Sequence, residues 1–145
     1  MNNYYDLAED DLLEAKDRYE AGRYNKCAIW CQQASEKYLK YILINKMGIE
    51  DPEILTEHRL KILYDRINRD NKTLSIPASA LFSLSNYYLK ARYPGEGFIE
   101  VEQELATQLF QYAKAVKAVV DHYLGFNSDE VNLSSLIDKY PDKKI

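Results

Sequence analysis

From Cys27 to Met47 the chain runs without glycine or proline, and its apolar residues return at helical intervals. Cys27, Ala28, Cys31, Ala34, Ser35, Tyr38 and Ile42 share one face. Trp30, Lys37, Tyr41 and Ile44 form a second stripe beside it, while Gln33, Glu36 and Lys40 are assigned to the far, solvated side. A helix apolar over so much of its circumference has neighbours on several sides, which predicts the central helix of a bundle.

The flanking segments fit that picture. Asn3 caps a first helix, Tyr4 to Ala21, with Ala8, Leu12, Ala15 and Tyr19 inward, and Gly22 stops it. The short Arg23–Asn25 connection makes helices one and two antiparallel neighbours. Asp51-Pro52 and Thr56 are start signals for a third helical region through Asn68, which turns Leu60, Leu63, Tyr64 and Ile67 inward. Pro77 opens a fourth helix to about Arg92, striped by Leu81, Leu84, Tyr88 and Leu89. Arg92 to Gly97 breaks it, and Glu100 to Leu124 forms a long fifth helix that Gly125 closes. No alternating strand pattern or hairpin turn occurs. The expectation is an all-α, up-and-down bundle of about five helices over residues 1–125. A polar tail, 126–145, follows, with one short helix around Ser134 to Lys139.

Charge and composition narrow the partners. With 19 basic and 23 acidic residues the net charge is −4, a poor basis for non-specific nucleic-acid binding. The 13 tyrosines suit half-buried seams and interfaces. Cys27 and Cys31 lie one turn apart, too far for a disulfide, and read as small buried residues. With only His58 and His122 elsewhere they make a poor zinc set, so neither metal nor cofactor is expected. The opening residues lack a signal-peptide pattern and no 18-residue apolar run exists, so a cytoplasmic protein is expected. Phosphate-binding glycine loops and zinc-protease helices are absent from the sequence.

Three strings carry a family resemblance. They are Ala8-x-x-Asp11-x-x-x-Ala15, the run Cys31-Gln-Gln-Ala-Ser-Glu-Lys-Tyr-Leu-Lys40, and Arg92-Tyr93-Pro94, with His58-Arg59-Leu60 between. Over about residues 4 to 124 the chain resembles a HEPN domain. The resemblance implies a helical homodimer, of the small stand-alone kind that is encoded beside a minimal nucleotidyltransferase as a toxin–antitoxin-like pair, with nucleotide as a ligand. Other members of the family are metal-independent ribonucleases that carry Arg, four to six residues, then His. Here no arginine stands at that distance before His58 or His122; Lys117 before His122 comes nearest, and lysine lacks the guanidinium fork. The reading is therefore a binding module more than an enzyme, with Lys117 and His122 as the weak catalytic alternative and a purely structural partner protein as another.

The candidate ligand residues are Arg92, Tyr93, His58, Gln33, Glu36 and Lys40. Arg92 either braces the end of its helix or grips a phosphate, and Tyr93 either seals a seam or stacks on a base. His58 either packs at a helix start or meets a phosphate. Gln33, Glu36 and Lys40 are explained by a solvated face or, for Glu36, by service to a partner's active site. The aromatic stripe Trp30, Lys37, Tyr41 and Ile44 is the candidate dimer or partner surface.

Overall fold

The computed structural model describes residues 3–70 and 73–126. Among the described residues there are six α-helices and no strand: α1 (Tyr4–Glu20), α2 (Tyr24–Lys40), α3 (Pro52–Leu55), α4 (Leu60–Ile67), α5 (Ala78–Lys90) and α6 (Gln103–Leu124). The fold is thus the expected all-α bundle. The expected tail, with its short helix around Ser134 to Lys139, lies outside the described residues apart from Phe126.

The local signals act as read at both ends of α1. The Asn3 side chain accepts from the Asp6 amide at 2.7 Å. Gly22 takes a left-handed φ of 76°, which lets Arg23 N–H reach the Arg18 carbonyl at 2.8 Å. α2 then returns antiparallel: Lys37 pairs with Asp11, Tyr38 bonds Glu9 and Tyr5 packs edge-on against Tyr41. Asp11 and Lys37 come from two of the strings that carry the resemblance. α2 packs against α1, α4, α5 and α6, and its buried Tyr38 and Leu39 sit at the centre of the core with Leu63, Leu84, Leu109 and Val116.

Two departures from the expected pattern matter for the site. The helix begun by α2 does not stay α-helical to Met47; Tyr41–Lys46 is a π-helical segment. The wider turn carries three consecutive buried residues, Tyr41, Ile42 and Leu43. The third helical region is split into α3 and α4. Thr56 ends α3, its hydroxyl donating to the Pro52 carbonyl at 2.9 Å, where it was expected to begin a helix. The Glu57 carboxylate then accepts from the His58 and Arg59 amides at 3.1 and 2.9 Å, so these amides are satisfied outside any helix. Ser85 of α5 accepts from the Leu60 amide at 3.1 Å and so caps α4 from another helix.

The loop between α5 and α6 is pinned by one side chain. Asn25 donates to the Ala91 and Ile99 carbonyls at 3.1 and 2.8 Å and accepts from the Val101 amide at 2.8 Å. The Arg92-Tyr93-Pro94 turn therefore hangs between two points fixed to α2.

Candidate functional site

A row of polar side chains along α2 is buried, contrary to the solvated face expected for Glu36 and Lys40. Gln32, Glu36 and Lys40 are 0%, 4% and 2% exposed. Such groups are tolerated inside only when fully bonded, and these are. Glu36 Oε2 accepts from Lys40 Nζ at 2.8 Å; Oε1 accepts from Gln32 Nε2 at 3.1 Å and meets His58 Nδ1 at 3.0 Å. Lys40 also donates to the Leu55 carbonyl at 2.8 Å, and Gln32 to the His58 carbonyl at 2.9 Å. These bonds are the cover: the α3–α4 connection lies across the row and closes it. Gln33 is only half-buried and bonds Gln32 at 2.6 Å, so it supports the row from its edge.

The network fixes His58. An ionised carboxylate only accepts, so Nδ1 carries the proton towards Glu36 and Nε2 is left on the open edge of the ring. The ring is half exposed and stacks on Tyr88, with centroids 5.1 Å apart and planes 23° apart. Arg92 lies over the same tyrosine, its Cζ 4.8 Å from the ring centroid, and 5.8 Å from that of Tyr93. His58, Ser85, Tyr88 and Leu89 line an open cleft of ≈ 470 Å³ with Thr56, Glu57 and Arg59. Arg59 is engaged by Glu57 at 2.8 and 3.0 Å, and that pairing holds the Glu57 carboxyl below the usual carboxylate range. Among the described residues no carboxylate pairs with Arg92, which is exposed at the end of α5.

The structure thus brings together His58, Glu36, Lys40, Gln33 and Arg92, with Tyr93 beside Arg92. The sequence reading missed Gln32 and Tyr88. Gln32, Glu36 and Lys40 are spaced by four and lie in one line along the helix, a signal that favours Gln32 over Gln33. Tyr88 is four residues before Arg92, the spacing at which an aromatic and a guanidinium meet.

The Lys117–His122 alternative does not assemble. Five residues apart on α6, the two point about 140° from each other. Lys117 Nζ bonds Glu9 and Asp121 at 2.8 Å each and Tyr5 at 3.1 Å, while His122 is exposed. The stripe proposed as an interface is also turned largely inward. Tyr41 is 9% exposed and contacts Tyr5 and Phe126, Lys37 is paired with Asp11, and Trp30 and Ile44 pack on the core.

Cys27 and Cys31 are buried with sulfurs 3.9 Å apart, and burial pushes the Cys31 thiol up, which makes it unreactive. Among the described residues no cluster of metal-ligating side chains occurs and no helix is long and apolar enough to cross a membrane.

Comparison with curated proteins found no match, and comparison with solved structures found none. A model of the HEPN domain family matches residues 1–123 of the 145. The match takes in nearly all of the helical bundle, all three strings and both sides of the His58 cleft, and on that extent the chain belongs to the HEPN domain family.

Proposed function

We propose that this HEPN chain is a binding module that partners a minimal nucleotidyltransferase, as one half of a toxin–antitoxin-like pair, and holds a nucleotide in the His58 cleft. The observation that supports it is the stack of His58 and Arg92 on Tyr88 over a buried Glu36–Lys40 pair. Arg92 takes a phosphate, His58 Nε2 accepts from a sugar hydroxyl, and Tyr88 or Tyr93 offers a ring face. The brace at Asn25 and the bond from His58 to Glu36 hold the Arg92 turn and the imidazole ring before ligand arrives, so less freedom is lost on binding.

Calorimetric titration of ATP and GTP tests the site. Arg92→Ala should weaken binding by about 1.5–3 kcal/mol, the range for a hydrogen bond to a charged group. Because Arg92 is exposed, the melting temperature of the variant should stay near that of the wild type. Unchanged affinity with a large loss of stability would make Arg92 a helix-end brace. Purification of the native complex with identification of its partner tests the pairing.

A ribonuclease is the second reading. It is favoured by the Glu36–His58 contact beside Arg92, a carboxylate-oriented imidazole next to a phosphate-binding group. Under the binding-module reading, structured and single-stranded RNA both survive incubation with the protein. Cleavage that disappears in His58→Ala would replace the first reading with the second.

A further inference from the structure

α6 is buried on two sides. Leu109, Ala113, Val116 and Val120 face inward and belong to the core cluster. Gln111, Ala115 and Ala118 are also buried, at 8%, 3% and 8% exposure. Yet at 100° per residue they lie about 130–170° around the helix from the middle of the inward stripe. Ala115 and Ala118 are the two buried apolar residues of α6 that stand outside the core cluster, so no core-facing helix accounts for their cover. That cover is local. Glu104, Gln108 and His122, on the same side of α6, are exposed. It extends from Gln111 to Ala118, about 10 Å of helix.

Three stretches beyond the described residues remain to supply it: 1–2, 71–72 and 127–145. The first adjoins the end of α1 where Tyr5 bonds Asp121, and Gln111 lies about 15 Å further along α6. The second interrupts a loop tied to α4, where Tyr64 and Asn68 both donate to the Leu74 carbonyl. The third leaves α6 itself. Gly125, at φ 72°, turns the chain back, and the Phe126 amide reaches the Asp121 carbonyl at 3.0 Å. The sequence beyond carries one apolar stripe of its own. Leu133, Leu136, Ile137 and Tyr140 stand at i, i+3, i+4 and i+7, and Pro141 follows. From Leu133 to Tyr140 is the same number of residues as from Gln111 to Ala118.

We propose that residues 133–140 of the same chain are the cover, laid antiparallel over the outer face of α6. In that register Leu133 meets Ala118, Leu136 and Ile137 meet Ala115, and Tyr140 meets Gln111. Two alanines leave room for the branched side chains between them, and the Gln111 carboxamide is a partner for the Tyr140 hydroxyl. The connection is long enough. Asn127 to Asn132 spans up to about 20 Å when extended, and Ala118 lies about 12 Å back along α6 from Phe126. The domain then extends past Phe126 to about Tyr140, and this stripe is an inward surface rather than a docking arm for another protein. The inference stands whether or not a nucleotide binds at His58.

Ala118→Cys with Leu133→Cys, oxidised, should form a disulfide within one chain. The product keeps the 16.9 kDa mass and migrates faster without reductant, and the buried native cysteines do not compete. Gln108→Cys with Leu133→Cys should not close, because Gln108 lies about 15 Å along α6 from Ala118. Thiol reactivity gives a second reading. Ala115→Cys should react with an aromatic disulfide reagent at least about tenfold more slowly than the exposed Gln108→Cys. Adding Leu136→Asp and Ile137→Asp should bring the two rates together while the helical content is kept; if that variant unfolds, the cross-link decides. A cross-linked product of doubled mass would assign the cover to a second copy. That result, no cross-link at all, a fast Ala115→Cys in the otherwise unchanged chain, or protection that survives both aspartates would overturn the inference.

Discussion

Lys40→Met should lower folding stability by about 3–5 kcal/mol, the cost of leaving one member of a buried ion pair unpaired. Lys40 and Glu36 keep only 3% and 6% of their side-chain surface in water. Without the ammonium, the Glu36 carboxylate retains Gln32 and His58, and the Leu55 carbonyl loses its donor. The melting temperature should drop by about 10–20 °C for a domain of this size. A drop of only a degree or two would mean that the carboxylate takes up a proton at little cost. Replacing both members, Glu36→Leu with Lys40→Met, should recover most of the loss, because a well-packed apolar pair avoids the desolvation of two charges. If the His58 cleft holds a nucleotide as proposed, the double variant should bind it poorly, as His58 then lacks the carboxylate that orients it. Recovered stability together with undiminished affinity would show that Glu36 has no part in the site.

The elements were legible where their causes are local. Asn3, Gly22 and Gly125 act on backbone amides and carbonyls within a few residues, and the inward stripe of α1 follows from helical period alone. The break between α3 and α4 was not legible, because the bonds that hold it open come from elsewhere: Ser85 lies 25 residues from Leu60, and Gln32 lies 26 from His58. The site was half legible. Glu36, Lys40, His58 and Arg92 stood out by type, but a polar row on a helix reads as solvated unless the segment that covers it is known. Here the cover is an irregular connection that periodicity does not describe. The aromatic stripe misled for the same reason. Tyr41 is covered by Tyr5 and Phe126, from the two ends of the described chain, so its exposure could not be judged from α2 alone. The outer face of α5 shows the converse. Spacing puts Leu89 in the apolar stripe of that helix, yet it stays in water.

The second large effect is expected where α1, α2 and α6 meet around Lys117. Its ammonium lies 5.4 and 5.7 Å from the Tyr5 and Tyr38 ring centroids and bonds Glu9 and Asp121 at 2.8 Å each. Lys117→Met should cost about 2–3 kcal/mol, less than Lys40→Met, because 23% of the Lys117 side chain still meets water. At pH 7 this is about 5–10 °C in melting temperature. The same cluster sets an alkaline limit on stability. Burial, then the bond to Asp121, pushes the Tyr5 hydroxyl up to about 12, and burial with the Glu9 bond pushes Tyr38 up as well. Burial works against the Lys117 ammonium, yet its bonds to Asp121, Glu9 and Tyr5 outweigh it and raise that group too. Unfolded tyrosine and lysine release these protons at about pH 10 to 10.4. Above that range the unfolded chain binds fewer protons than the folded one, so stability falls as pH rises. The contribution of Tyr5 is whole below pH 10 and gone once pH passes about 12. Melting curves from pH 8 to 11.5 should show a steepening decline above pH 10. Tyr5→Phe keeps the ring that packs edge-on against Tyr38, Tyr41 and Phe126 and removes only the hydroxyl. Its decline above pH 10 should be shallower than that of the wild type. Superimposable pH profiles would show that the Tyr5 proton is not coupled to folding, and that the alkaline loss lies with Tyr38 and Lys117.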